Sequence, residues 1–278
     1  MLNNGNLYEL EDKGLPRIIN KTLGYILKID ITKPYTLFNE NIIGYRVLEE
    51  EDNEDLEKLK EISYYMSDPN KVDIDKPIIY IYNSHQLENY NNNNLSIYGI
   101  TPNVLMASYL LKEKLNNLGL STIVEDTNIT EFLDINNWDY SASYKASRIF
   151  MLDKKNTYDS LKYFIDIHRD SVGGNLTKVS INGKTYAKVL FIIGLDHNNW
   201  EPNYNMAVKL NNKLDNNYPN LSRGIMKKTG MNVNGVYNQD ISNNCILIEV
   251  GGVDNTIEEV YNTMDAIAQV LSTYIKGE

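Results

Sequence analysis

Apolar positions along the chain fall into two rhythms that alternate from Lys76 onward. Short continuous runs at Pro77-Ile-Ile-Tyr-Ile-Tyr82, Lys162-Tyr-Phe-Ile-Asp-Ile-His168 and Ile246-Leu-Ile-Glu-Val250 are rich in β-branched and aromatic residues and predict buried strands. Leu120 to Val124 predicts another short strand. Lys178 to Ile181 and Thr185 to Ile193 predict a hairpin closed by Asn182-Gly183, a dipeptide suited to a two-residue turn. Between these runs the spacing turns helical. Thr101-Pro-Asn103 signals the start of a helix running to about Asn117, which Gly119 stops. Tyr140 to Lys155 is amphipathic, Asn203 to Tyr218 ends at Pro219, and Thr256 to Ile275 places Val260, Met264, Ile267, Val270 and Leu271 on one face. Strands alternating with helices predict an α/β layer structure around a mostly parallel, twisted sheet.

Residues 1–75 have a different pattern. A stretch of helical spacing opens at Leu15-Pro16, then Pro34, Asn39 and Gly44 punctuate the chain, and Glu49 to Glu61 is an acidic, solvated segment. Asp68-Pro-Asn70 reads as a turn. The chain therefore divides into an N-terminal extension or small helical subdomain over 1–75 and a main domain over 76–278.

Composition narrows the class. At 42% hydrophobic and 23% charged, the 278 residues are ordinary for a globular chain. The 27 basic against 37 acidic residues give a net charge of −10 with no Lys/Arg cluster, which argues against nucleic acid or an anionic membrane as partner. The single cysteine, Cys245, lies in the apolar run Cys245-Ile-Leu-Ile and reads as a small buried hydrophobe. No stretch approaches the ~20 apolar residues of a membrane span. No basic region followed by an apolar core opens the chain, so the expectation is either a protein kept inside the cell or one shown without its export segment.

The candidate chemistry sits where the strands end. The chain has three histidines, and His85, His168 and His197 each come after a predicted strand. His85 and Glu88 form His-x-x-Glu, which can offer an imidazole nitrogen and a carboxylate oxygen to one zinc ion. Alone the pattern arises readily by chance, and a histidine after a strand is more often structural than catalytic. Two histidines and one carboxylate from separate strand ends would leave zinc an open position for water, whose pKa zinc lowers from about 15.7 to about 7. Amide cleavage also needs a base. Glu249 is the candidate, because a carboxylate inside Ile246-Leu-Ile-Glu-Val250 is costly to bury unless it serves the site. The alternative is an edge strand with Glu249 in solvent. No His-Glu-x-x-His, Gly-x-Ser-x-Gly, Cys-x-x-Cys, Gly-x-x-x-x-Gly-Lys-Ser/Thr or Gly-x-Gly-x-x-Gly is present, so serine, thiol and nucleotide chemistries lose ground.

With these residues assembled, the chain resembles the stage II sporulation protein P family of endospore-forming bacteria. The likeness rests on Tyr82-Asn-Ser-His85-Gln-Leu-Glu88-Asn-Tyr90, Tyr163-Phe-Ile-Asp-Ile-His168-Arg-Asp170, Gly194-Leu-Asp-His197-Asn-Asn-Trp200, Tyr237-Asn-Gln-Asp240 and Leu247-Ile-Glu249-Val-Gly-Gly252. Their order and spacing cover residues 76 to 276, and Leu15-Pro-Arg17 and Asp30-Ile-Thr-Lys-Pro34 resemble the stretch that precedes the family's domain. The resemblance implies a six-stranded sheet flanked by helices and a zinc-dependent N-acetylmuramoyl-L-alanine amidase. Such an enzyme cleaves the amide between muramic acid and the stem peptide of peptidoglycan during engulfment. Matched motif by motif, His85, Glu88 and His168 fall on the zinc ligands and Glu249 on the catalytic glutamate. Arg169, His197 and Asn238 have counterparts that suit substrate contact, although Arg169 reads equally as an ion-pair partner of Asp170, and His197 competes with Glu88 as the third ligand. Family members show His-x-His where this chain has Asn83-Ser-His85, a difference read as lying outside the ligand set. The resemblance further implies an extracytoplasmic site between the mother-cell and forespore membranes and an anchor upstream of this sequence. A membrane scaffold and the lytic transglycosylase stage II sporulation protein D are its implied partners. A zinc peptidase acting on stem peptides and a non-catalytic wall-binding module are the competing readings.

Overall fold

The computed structural model describes residues 66–91, 95, 100–231 and 233–277. The predicted helix after Leu15 and the acidic segment Glu49 to Glu61 lie outside the described residues.

Six strands form one sheet: β1 (Ile79–Tyr82), β2 (Thr122–Val124), β3 (Tyr163–Asp170), β6 (Val189–Gly194), β7 (Ser222–Lys228) and β8 (Cys245–Gly252), in the order β2-β1-β3-β8-β6-β7. β4 (Lys178–Ile181) and β5 (Lys184–Ala187) make a separate antiparallel hairpin around Asn182-Gly183. The run Thr185 to Ile193, expected as one strand, breaks at Lys188. Its first half stays in the hairpin, and its second half enters the large sheet as β6. Lys188 marks the crossing: its N–H donates to Thr177 O and its carbonyl accepts from Gly251 N.

Six helices accompany the sheet: α1 (Val104–Asn117), α2 (Ile129–Ile135), α3 (Ser143–Thr157), the single turn α4 (Gly174–Thr177), α5 (Glu201–Asn217) and α6 (Ile257–Lys276). Asn103, rather than Thr101, caps α1 by accepting from Met106 N. Thr256 and Glu259 form a reciprocal capping box at the start of α6, so the longest helix begins where the local side chains satisfy its free N–H groups. Two elements go beyond the pattern read from the sequence: α2, a short helix capped by Asn128, and β7, a half-exposed strand interrupted by Gly224.

The register sorts the side chains into two faces. Ile79, Ile81, Ile165, Ile167, Ile246 and Ile248 point to one face and are essentially fully buried, with α1 packed on β1 and β3. The other face carries Tyr80, Tyr82, Phe164 and Cys245 under Met151 of α3, and then turns polar toward the strand ends with Asp166, His168 and Glu249. Cys245 is buried here with its Sγ 3.8 Å from the Tyr82 hydroxyl, as a small apolar side chain would be.

The sheet is mostly parallel, with one reversal that matters. β6 runs antiparallel to β8, and β7 runs parallel to β6. The ends of β1, β3 and β8 therefore open on one edge, while β6 delivers Gly194 and His197 to the opposite edge.

Candidate functional site

β1 ends at Tyr82, and a tight turn, closed by Glu88 N donating to His85 O, folds His85 and Glu88 back over the end of β3. His168 arrives from β3, one strand over. The Nδ1 atoms of both histidines lie 3.3 Å from the same oxygen, Glu88 Oε1, and the two rings meet edge to face at 5.0 Å. The three donor atoms all lie within 4.8 Å of one another. Tetrahedral zinc with bonds of about 2.0–2.1 Å separates its donors by about 3.3–3.4 Å, so the spacing around Glu88 suits such an ion. His85, Glu88 and His168 thus form a group that can hold a metal, and it is the one such group among the described residues.

Two of the three donors, Glu88 and His168, are held from behind. Glu88 Oε2 accepts the backbone N–H of Arg169 at 2.8 Å. His168 Nε2 faces Asp166 Oδ1 at 3.0 Å and Ser84 Oγ at 2.8 Å. Asp166 is completely buried and also accepts from Ser84 N and from the Ser84 hydroxyl. Because the Ser84 hydroxyl donates to Asp166, its oxygen is left to accept from His168 Nε2–H, which leaves Nδ1 as the ligand nitrogen. A buried carboxylate behind a ligating imidazole fixes its tautomer and orientation. Asp166→Asn is accordingly expected to weaken metal affinity by about 10–100-fold with the fold retained, measured by competition against a chromogenic chelator.

The same contacts set the protonation states. Burial alone would lower the pKa of His168, but the Asp166 and Glu88 carboxylates outweigh it and push the imidazole well above 6.5. Burial alone would raise Glu88, yet His168, His85 and the Arg169 N–H hold it well below the ordinary carboxylate range. Glu249 shifts the other way. It pairs in register with His168 on the neighbouring strand, and burial, then the nearby Glu88, Asp170 and Asp166 carboxylates, push its pKa up to about 7 against the pull of His168. Its Oε2 is enclosed, with no hydrogen-bond partner among the described residues. An enclosed acceptor left unpaired beside a group that can hold a metal is free to take a proton.

Aromatic rings wall the centre. Tyr140 stacks on His85 at 5.0 Å and is 45% exposed, so it stands at the mouth; Tyr144 meets His85 edge-on at 5.1 Å and lies parallel to His168 at 6.2 Å.

The remaining candidates are dispersed. Asn238 donates to Tyr144 O and Ser147 Oγ, and so anchors α3 beneath the aromatic wall. Arg169 lies against the centre through its backbone, but it is not the partner of the Asp170 carboxylate. Its guanidinium bonds the carbonyls of Asn89 and Asp170, while Arg223 takes the Asp170 side chain. His197 does not converge with the other histidines, because the reversal of β6 sends it to the far edge; of the two rivals for third ligand, Glu88 is the one beside His85 and His168. Asn83 is buried on the opposite side of β1, bonded to Val104 O, Ile167 O and the Ser108 hydroxyl of the α1 side. Sequence reasoning misses Ser84, Asp166, Tyr140 and Tyr144. Asp166 does carry a usable signal: two positions before His168 in a strand, it must share that histidine's face.

An α/β protein with a His/Glu/His group fit for a metal, set at the strand-end edge of its sheet, is the class that this arrangement defines. Within that class the chain belongs to the stage II sporulation protein P family, whose family model (SpoIIP) matches residues 33–272. It is 34% identical over 211 residues to the stage II sporulation protein P of Bacillus subtilis (strain 168), covering 73% of this chain. The chain spans about half of that relative's length, 52%. Among the described residues no helix is long and apolar enough to cross a membrane.

Proposed function

We propose that the chain is a zinc-dependent peptidoglycan amidase of sporulation, cleaving the amide between the lactyl group of N-acetylmuramic acid and the L-alanine of the stem peptide during engulfment. The observation that carries this reading is the meeting of His85, Glu88 and His168 around one point, with the unpaired Glu249 carboxylate in register beside them. When bound, zinc supplies the Lewis acidity that makes water a nucleophile near neutral pH. Glu249 Oε2 then takes a proton from the attacking water and returns it to the alanine nitrogen as the C–N bond breaks, leaving a lactyl carboxylate and a free amine. Asp166 holds His168 in one tautomer, the Arg169 N–H holds Glu88 in one rotamer, and Tyr140 offers its exposed ring to the substrate at the mouth. The reading includes an extracytoplasmic setting with an anchor outside this sequence, beside stage II sporulation protein D and a membrane scaffold.

The purified chain loaded with zinc is expected to release stem peptides from sacculi and to stop when the metal is chelated. New lactyl carboxyl groups identify the amidase. New peptide termini instead would make it a peptidase, and binding to sacculi without any release would make it a wall-binding module.

A further inference from the structure

A row of register partners crosses the sheet at the level of the candidate centre: His168 on β3, Glu249 on β8 and Leu190 on β6. On β7 the row is irregular. Val189 faces Ser222 and Phe191 faces Ile225, so Arg223 and Gly224 together stand opposite Leu190. This is a β-bulge, a device that re-aims a side chain at a sheet edge. Gly224 has a φ of +94°, which a side chain would oppose, and its N–H donates to Ser222 Oγ at 2.8 Å. The re-aimed Arg223 meets Asp170 of β3, beyond β6 and β8 in the sheet, with Nη1 to Oδ2 at 2.7 Å. Asp170 lies just beyond a second register shift, immediately after His168.

Two irregularities thus bring one arginine and one aspartate together beside the centre. As a tie between strands this pair explains little, because its side chains are only 18% and 19% exposed and the desolvation of a largely buried ion pair offsets much of its attraction. The charge around it points elsewhere. Arg169 rests its guanidinium on the carbonyls of Asn89 and Asp170, and among the described residues no carboxylate pairs with it. An arginine has five N–H donors in a planar fork, and Arg223 commits one of them to Asp170. Asp170 is also close enough to Glu249 to help raise its pKa.

We propose that Arg223 and Arg169, joined through Asp170, form a carboxylate-binding subsite that holds an acidic group of the stem peptide beside Glu249. The subsite rests on the amidase reading of the centre, and its test separates the two. The full chain carrying Glu249→Gln, with zinc present, is titrated by calorimetry with two N-acetylmuramoyl peptides that differ only in whether the carboxylate of the second residue is free or amidated. The free acid is expected to bind about tenfold more tightly. Arg223→Gln in the same background is expected to bind the two peptides alike, and Arg223→Lys, which keeps the charge but not the fork, to lose at least threefold of the preference. Absence of preference before Arg223 is changed, or a preference that survives in whichever arginine variant folds, overturns the subsite, as does equal weakening of both ligands. Should the unmodified chain release no peptide from sacculi while the preference holds, the amidase reading falls and the carboxylate subsite stands.

Discussion

Glu249→Gln is expected to abolish hydrolysis while making the metal-free protein more stable at alkaline pH. On the proposed mechanism the loss of activity comes from removing the proton acceptor. General-base catalysis is worth about 10²–10⁴-fold, and an amide at the same place can neither take a proton from water nor return it to nitrogen. The gain in stability comes from the raised pKa. Free glutamate titrates near 4.5, whereas folding pushes Glu249 to about 7, first through burial and then through Glu88, Asp170 and Asp166. Between those values the folded state holds a proton that the unfolded chain has released. Stability from this group is therefore complete below about pH 4.5 and is lost as pH rises through about 7. At pH 8 the charged, enclosed carboxylate opposes folding by roughly 3 kcal/mol at about 1.4 kcal/mol per pH unit, and a neutral side chain removes most of that. Chemical denaturation in chelator at pH 4.5 and pH 8 measures it. The variant should match the parent at the lower pH and exceed it by about 2–3 kcal/mol at the higher one. Equal stability at both would show that Glu249 is not under the strain that its surroundings imply.

His168→Ala is expected to fail in the opposite way, losing metal, activity and stability together. On the proposed zinc reading the imidazole is one of three donors, so without it two would remain, and several kcal/mol of Lewis-acid stabilisation would leave with the ion. Peptide release should fall more than about 10³-fold. The fold also suffers, because Asp166 is completely buried and His168 is the cation that faces both it and Glu88. Removing one partner from a buried charged set typically costs about 3–5 kcal/mol. The sign with pH is again fixed by linkage. His168 has a folded pKa well above 6.5, so its contribution is complete below that value and is lost as pH rises through the folded pKa. The deficit of the metal-free variant should therefore be largest near pH 6 and shrink toward strongly alkaline pH. A variant that binds zinc as tightly as the parent would remove His168 from the ligand set.

How much of this can be read from the chain depends on how local the information is. Continuous apolar runs announce β1, β3 and β8, and a polar residue at the end of each run announces the edge on which the site lies. Glu249 stands out as an acidic residue in a strand otherwise buried, and its place beside His168 needs only parallel pairing of two strands. Strand direction is not local. The antiparallel entry of β6 depends on the break at Lys188 and on hairpin β4–β5, and periodicity along Thr185 to Ile193 carries no sign of either. His197 is drawn toward the other histidines for that reason alone. β7 escapes because its bulge spoils the alternation by which a strand is recognised, and with it goes Arg223. Tyr144 sits on a helix whose position over the sheet is set by packing against Tyr82 and Phe164, both distant in the chain.

The placement of Asn83 bears on how this family is recognised. The residue faces the isoleucine layer and gives its amide to the backbone of Val104 and Ile167, so a histidine at that position would look into the core and away from Glu88. Substitution there leaves the group of His85, Glu88 and His168 untouched. A pattern that demanded a histidine at position 83 as well as at 85 would discard this chain, whereas one built on His85, Glu88, the Asp-x-His of β3 and Glu249 would keep it.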